Sequence, residues 1–225
     1  MKSLRWKETL QQLFFVANGS GFIVVFCVCF AAMVTILEAS FHMKMVIQND
    51  SMVPGFAALL ILKELGAVVT ALLLTSRVGA GIAAEVGLMK VTEQIDALRM
   101  LGIEPVRYLV LPRLVACVIG AVLLTLIANM VCLICAMLVS DLMLGYSPAM
   151  FLSSMRIFVK FQDLLLAAVK GAFFGAVIPL VACHFGFRCR PGAEGVGSAT
   201  TQSVVVASIL IIVLDFVLSY TFSYL

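Results

Sequence analysis

The chain has 225 residues, of which 63% are hydrophobic and only 12% are charged, and its mean hydropathy is +1.16. Soluble domains usually carry about 25% charged residues, so this composition excludes an ordinary water-soluble enzyme or nucleic-acid-binding protein. The net charge of +3 is small. The seven cysteines, an odd number, and the two histidines, far apart in sequence, argue against a disulfide framework and a zinc site. Cys132 and Cys135 form one CxxC motif inside an apolar block, where we interpret them as packing residues.

Five apolar blocks are each long enough to cross about 30 Å of hydrocarbon. They predict an all-α integral membrane protein made of a single transmembrane domain over residues 1–225. Residues 1–18 form an amphipathic lead-in, which predicts a short interfacial helix before the first span. The predicted spans are residues 19–41, 54–76, 108–139, 163–187 and 203–224.

The distribution of lysine and arginine predicts the orientation, because these residues are enriched in cytoplasmic loops. Ten of them lie at the N-terminus, in residues 77–113 and in residues 188–190, all on one side of the predicted membrane. Three, namely Lys44, Arg156 and Lys160, lie on the other side. We therefore expect a cytoplasmic N-terminus and a C-terminus on the opposite side.

The segment 77–105 joins the second and third predicted spans and is the longest run with a polar character. Leu88, Val91, Ile95 and Leu98 follow one another at spacings of 3, 4 and 3, which is typical of one face of a helix. The pattern alone allows two interpretations, a helix resting on lipid headgroups or a helix that docks on a partner. We expect the apolar stripe to pack against the spans and the opposite face to meet the partner. That face carries Lys90, Glu93, Gln94 and Asp96.

Four ionisable residues lie within predicted spans: Lys63, Glu64, Lys170 and Asp215. A charge at the centre of a bilayer costs at least ~2.5–3.5 kcal/mol. Two cations and two anions on three spans can offset this cost by pairing, so we expect both lysines to lie near Glu64 and Asp215. A structural ion-pair cluster, a moving or substrate-sensing group and a proton relay are all compatible with the sequence.

The run KELGAVVTALLLTSRVGAGIAAEVGLMKVTEQIDALRMLGIEP (63–105) and the PRL that follows at 112–114 closely resemble the MlaE/YrbE family of ABC permeases. The ELG at 64–66, the AEVGLMK at 84–90, the TEQ at 92–94 and the LDFVLS at 214–219 carry the resemblance. It covers about residues 20–222.

The resemblance implies a homodimeric permease of the bacterial inner membrane, with a periplasmic C-terminus. It also implies a cytoplasmic ABC ATPase dimer, a periplasmic MCE-domain protein, a small STAS-type regulatory subunit and a phospholipid substrate connected with outer-membrane lipid asymmetry. Residues 84–98 match the coupling helix, and the four intramembrane charges match the family's charge cluster. The implied ATPase contacts are Glu85, Leu88, Lys90, Val91, Glu93, Gln94, Ile95 and Asp96.

The sequence has no GxxxxGK[ST] motif, so any ATP and Mg²⁺ would be bound by a partner chain, and this chain is expected to be a transport subunit without enzymatic activity or cofactor. Adaptable apolar surface for lipid tails, with a polar group for a headgroup, is expected at the end of the first span. The candidates are Met33, Leu37, Glu38 and Met45, although methionine and leucine at helical spacing also serve as plain packing.

Three other functions are compatible with a polytopic chain. An ion-coupled secondary transporter could use the intramembrane charges, but the five spans show no internal repeat. An intramembrane enzyme would need a catalytic arrangement such as HExxH, GxSxG or paired aspartates, which the spans lack. A membrane scaffold without transport activity is the third.

Overall fold

The computed structural model describes residues 6–46 and 52–223, and within these ranges the chain is helical without a β-strand. Of the described residues, five helices are long and apolar enough to cross a membrane: Lys7–Met43, Val53–Val91, Pro105–Leu144, Phe161–Phe187 and Ala193–Phe222. The expected all-α membrane fold is confirmed. Helices suit this environment because each satisfies its own backbone hydrogen bonds away from water.

The helices follow one another with short connections. In chain order they are α1 (Trp6–Val46), α2 (Val53–Leu60), a first π-helical segment (Ile61–Leu65), α3 (Gly66–Leu74), a second π-helical segment (Thr75–Gly79), α4 (Ala80–Val91), α5 (Gln94–Met100), α6 (Pro105–Leu144), α7 (Pro148–Phe158), α8 (Phe161–Phe187) and α9 (Ala193–Ser223).

The predicted interfacial lead-in differs from what the structure shows. Its described part, residues 6–18, forms the first turns of α1 and continues into the first span without a break. The physical reason is that residues 6–46 contain no proline, and Gly19 and Gly21 alone do not end a helix. The remaining residues of the lead-in, 1–5, lie outside the described part of the chain.

The predicted single helix over residues 84–98 is also interrupted. Glu93 adopts a left-handed backbone conformation with φ of 61°, and its N–H bonds to the carbonyl of Lys90 at 3.2 Å. This bond spans only three residues and closes a turn just after the end of α4. The next helix, α5, begins at Gln94. The apolar stripe predicted from Leu88 to Leu98 is therefore divided between two helices.

The chain separates into two compact units. The first unit contains the described residues of Met1–Gly21, Ala71–Val122 and Gly171–Leu225. Its helices approach closely at small residues, as is usual in membrane bundles. A Cβ atom added at Gly175 of α8 would lie 2.7 Å from the Ala121 Cβ and 2.8 Å from the Cys117 carbonyl oxygen, both on α6.

The second unit contains the described residues of Phe22–Thr70 and Leu123–Lys170. Here α2 packs against α7, and the backbone N–H of Gly55 donates to the Ser154 hydroxyl at 3.0 Å. Ser147 begins α7 by accepting a hydrogen bond from the N–H of Met150 at 3.3 Å, and Pro148 follows it as the first helical residue.

We predict that Gly175→Ala destabilises the protein, because the new methyl group would overlap backbone and side-chain atoms of α6. Overpacking of this kind costs about 1–3 kcal/mol. Gly197→Ala is the matched control, since Gly197 lies in helix α9 with open space around it and alanine favours a helix. Thermal unfolding of the purified protein in detergent should show a lower Tm for the first variant and an equal or higher Tm for the second. Equal effects of the two changes would contradict this packing.

Candidate functional site

The first π-helical segment places two adjacent ionisable residues, Lys63 and Glu64, inside the second membrane-spanning helix. A π-helical turn carries i→i+5 hydrogen bonds and is often found at functional positions. It shifts the register of the helix, so the side chains before and after it are displaced relative to a regular α-helix. Both charged residues thus lie where the backbone hydrogen bonds depart from the regular α-helical pattern.

Lys170 of α8 is 0% exposed and contacts this segment at two points. Its Nζ donates to the Lys63 carbonyl oxygen at 2.8 Å and to the Glu64 Oε2 at 3.1 Å. The bond to the carbonyl gives the ammonium a backbone acceptor as well as a counter-ion. This satisfies the requirement that a buried charge be both paired and hydrogen-bonded.

The other lysine, Lys63, forms an ion pair with an acid that the sequence analysis did not select. The Lys63 Nζ lies 3.2 Å from Asp163 Oδ1, whereas Asp163 Oδ2 accepts from the Lys160 backbone N–H at 2.8 Å. Asp163 thus holds the first turn of α8 and also forms an ion pair. It was missed because it stands at the predicted boundary of a span, where an acidic residue is usually a simple helix start.

Asp215 lies on α9 in the first unit, whereas Lys63, Glu64, Asp163 and Lys170 all belong to the second. The ion pairs described for the two lysines join Lys63 to Asp163 and Lys170 to Glu64. The predicted proximity of Lys170 and Glu64 is observed. The expectation that both lysines lie near Asp215 stays a prediction, and Asp163 is an additional ion-pair partner of Lys63.

The second π-helical segment carries another cation, Arg77, in the first unit. The Arg77 Nη1 donates to the Ser20 hydroxyl at 3.1 Å, and the guanidinium lies 5.9 Å from the ring centre of Phe15. Both partners are on α1. The guanidinium therefore joins two helices through a hydrogen bond and a cation–π contact.

The segment formed by α4 and α5 does not bury its apolar stripe as one face. Ile95 is fully buried, but Leu88 is 56% exposed, and Val91 and Leu98 are intermediate. Ile95 is thus the only fully buried residue of the four in the stripe, and Leu88 is the most exposed of them.

Most of the predicted partner-facing charges of this segment are paired within the chain. The Lys90 Nζ lies 3.0 Å from Asp96 Oδ2, across the break between α4 and α5. Asp96 Oδ1 lies 3.3 Å from Arg99 Nη1. Glu85 is exposed, yet its Oε1 lies 2.9 Å from Nη2 of the buried Arg113 on α6. Glu93 and Gln94 are exposed at the break.

Two exposed apolar residues that follow α4 were missed by the sequence pattern. Met100 is 90% exposed and Leu101 is 74% exposed, at the end of α5. The stripe selected from the sequence ended at Leu98 and so did not include them, although Leu101 follows Leu98 at a helical spacing of three. They are adjacent in sequence and lie beyond the end of a membrane-spanning helix, and a contiguous exposed apolar patch can mark an interaction surface.

The four predicted substrate-lining residues lie on the last part of α1, in the second unit. Leu37, Glu38 and Met45 are exposed and Met33 is intermediate. The Glu38 Oε2 lies 3.5 Å from His42 Nδ1 one turn further on. This part of α1 therefore offers an apolar surface with one polar pair, and its contact with substrate remains a prediction.

Comparison with known proteins decides the family. Residues 9–221 match the family described as permease MlaE. This chain belongs to the MlaE permease family. The resemblance found in the sequence is confirmed, and the protein is a multi-pass membrane permease of the ABC transporter type.

Relatives agree with this placement. A probable ABC transporter permease protein of Synechocystis is 33% identical over 214 residues, covering 95% of this chain and 81% of the relative. A probable ABC transporter permease protein of Rickettsia typhi is 34% identical over 210 residues, covering 93% and 81%. The chloroplastic protein TRIGALACTOSYLDIACYLGLYCEROL 1 of Arabidopsis thaliana is 34% identical over 219 residues, covering 97% of this MlaE-family chain and 62% of the plant protein.

We predict that Lys170→Met lowers the stability of this permease, because it removes two hydrogen bonds and leaves Glu64 without the ammonium. Breaking a fully buried pair costs about 3–5 kcal/mol. Arg99→Met is the control, since the Arg99–Asp96 pair lies outside the membrane-spanning helices with side chains 63% and 47% exposed, and exposed pairs contribute about 0–1 kcal/mol. Thermal unfolding should show the larger loss for Lys170→Met. An equal or larger loss for Arg99→Met would contradict the geometry.

We further predict that Asp96 titrates below its ordinary pKa of 3.8. The hydrogen bond from Lys90 is the main cause of the lowered pKa, and the charges of Lys90 and Arg99 act in the same direction. A lowered carboxyl pKa contributes stability above the unfolded value, and this stability is lost as the pH falls through the folded value. The Lys90–Asp96 contact should therefore stay intact across roughly pH 5–8. Carboxyl ¹³C NMR should report the low pKa, and Lys90→Met should raise it towards 3.8; an unchanged value would contradict the contact.

Proposed function

We propose that this protein is the membrane-spanning half of an ABC transporter that moves phospholipids, with ATP and Mg²⁺ bound by a separate ATPase. Membership of a permease family and the ABC-permease names of its relatives support the transport role. A lipid cargo is supported by the Arabidopsis relative, which is named for a glycolipid, trigalactosyldiacylglycerol. The exposed apolar surface of α1 around Leu37 and Met45 is suited to acyl chains.

The observation that carries the proposal is the group of exposed apolar side chains beside the end of the second membrane-spanning helix. Leu88, Met100 and Leu101 are the most exposed large apolar residues of the α4–α5 segment and its end. We propose that they enter a groove of the ATPase, with Glu93 and Gln94 at the rim. Ile95, being buried, instead fixes α5 to its own chain.

The internal ion pairs of this segment support a mechanical role. Lys90 connects α4 to Asp96 of α5, and Glu85 connects α4 to Arg113 of α6. A force applied to α5 by a closing ATPase would therefore reach two membrane-spanning helices through charged contacts. This assigns Glu85, Lys90 and Asp96 to transmission of the movement, and Leu88 to binding.

The remaining features of the proposal follow from the same family membership. We infer that two copies form the complete permease in the bacterial inner membrane, with the N-terminus and the α4–α5 segment cytoplasmic and the C-terminus periplasmic. An MCE-domain protein on the periplasmic side would exchange phospholipid with the dimer, and a small STAS-type subunit would regulate the ATPase side.

An ion-coupled secondary transporter is the second candidate, and the two intramembrane ion pairs are the observation that favours it. Lys63–Asp163 and Lys170–Glu64 would be suitable groups for ion-dependent rearrangement. The two candidates differ in their energy source, so one transport measurement separates them.

We predict that Leu88→Ser combined with Leu101→Ser reduces the amount of ATPase that co-purifies with the permease and, to the same extent, ATP-driven phospholipid transfer from vesicles. Each exposed leucine that becomes buried in a groove should contribute about 1–2 kcal/mol, so the combined loss should be at least tenfold. Leu142→Ser is the matched control, because Leu142 is similarly exposed near the end of α6, away from the α4–α5 segment in sequence.

Two results would overturn parts of this proposal separately. Transfer that persists without ATP and follows a proton gradient would favour the ion-coupled transporter. Retained ATPase binding with ATP-dependent movement of a non-lipid solute would leave the ABC permease intact and exclude the phospholipid cargo. Mass spectrometry of the lipids that co-purify with the complex identifies the headgroup.

A further inference from the structure

Three cysteines lie where α1 and α6 pack together inside the second unit. None of them has a part in the proposed transport function. The Cys29 and Cys135 sulfur atoms lie 2.8 Å apart, although both residues are free thiols in the structure. Cys132, one turn before Cys135, donates to the Val28 carbonyl oxygen at 3.3 Å. The two cysteines of the CxxC motif therefore have different environments, one facing a thiol and the other facing the backbone.

The distance between the Cys29 and Cys135 sulfurs is short enough for a covalent bond to form with little movement. A disulfide has an S–S distance of about 2.05 Å, so the atoms would approach by less than 1 Å. The two residues are 106 positions apart in sequence, so their approach depends on the folded packing of α1 against α6 and not on local chain flexibility.

The position of the pair determines which oxidants can reach it. Both residues lie well inside helices that are long enough to span the membrane, and both are partly exposed. Their chain neighbours Phe30 and Ile134 are exposed large apolar residues, so the surface around the thiols is one that faces hydrocarbon. A lipid-soluble oxidant therefore has access where a water-soluble oxidant does not.

We propose that Cys29 and Cys135 form a redox-sensitive modification site that lipid hydroperoxides convert to a disulfide joining α1 to α6. In the first step one thiol sulfur attacks the O–O bond of the hydroperoxide, giving a sulfenic acid on the protein and a lipid alcohol. In the second step the other thiol attacks the sulfenic sulfur, the S–S bond forms and water leaves. The peroxide is reduced by two electrons and the two thiols are oxidised by two electrons.

Cys132 does not take part, because its thiol is buried and directed at a backbone carbonyl. It is on the same helix and at a similar depth as Cys135, which makes it an internal control for chemical reactivity. Cys27 is the corresponding control on α1. It lies two residues before Cys29, and side chains two residues apart on a helix point in different directions.

The test uses the full-length protein in phosphatidylcholine vesicles that contain a lipid hydroperoxide. Variants keep two cysteines and carry serine at the other five positions, so that each of the tryptic peptides Glu8–Lys44 and Leu114–Arg156 holds a single thiol. The Cys29/Cys135 pair should give a linked peptide that is reversed by dithiothreitol. The Cys29/Cys132 and Cys27/Cys135 pairs should give at least fivefold less.

Wild-type protein provides a measurement that does not depend on the folding of the variants. When the oxidised protein is then denatured in dodecyl sulfate, which exposes every remaining thiol, N-ethylmaleimide should fail to label Cys29 and Cys135 but should label Cys132, which is buried in the folded protein. Equal linkage in all three pairs, equal linkage after denaturation in dodecyl sulfate, or no linkage at all would overturn the proposed pair. Equally rapid oxidation by aqueous hydrogen peroxide would overturn the lipid source of the oxidant.

Discussion

A positive charge buried within a membrane-spanning helix bundle is the constraint on which the second unit depends. The Lys170 ammonium has no access to solvent and must find all its partners within the protein. It finds a carboxylate and a backbone carbonyl in the first π-helical segment. The irregular backbone, the Glu64 side chain and the position of α8 are therefore mutually dependent, since a change in any one of them leaves an uncompensated charge in an apolar setting.

The same principle appears in the first unit with different chemistry. Arg77, in the second π-helical segment, meets a hydroxyl and an aromatic ring of α1, and Arg113 meets Glu85. Each unit therefore contains a basic residue that joins two helices by directed contacts. Close packing at glycines such as Gly175 adds the dispersion contacts that hold helices together where no hydrophobic effect operates between them.

Much of this architecture was predictable from the sequence, and the exceptions have physical reasons. Apolar length alone located the five spans, and the adjacent charges at Lys63 and Glu64 indicated an intramembrane ion pair with Lys170. Asp163 was not selected, because a sequence does not show that an acid at a helix start can also reach a lysine on another helix. The left-handed turn at Glu93 was not selected either, since glutamate rarely adopts that conformation. Met100 and Leu101 were not selected because the stripe chosen from the sequence ended at Leu98. Cys29 and Cys135 meet only through tertiary packing.

The first π-helical segment also sets a limit on how the length of this helix can change. A π-helical turn holds one more residue than an α-helical turn, so loss of a single residue between Ile61 and Leu65 would restore a regular hydrogen-bond ladder. The helix on either side of the segment would keep nearly the same orientation, because the wider turn already accommodates the extra residue, whereas the side chains of the segment itself would be redirected. Local geometry would improve while Lys63 or Glu64 turned away from its partner. The effect of an insertion or deletion in this segment therefore depends on how it reorients the charged side chains. The irregular π-helical turn provides the number of residues that the ion pairs require.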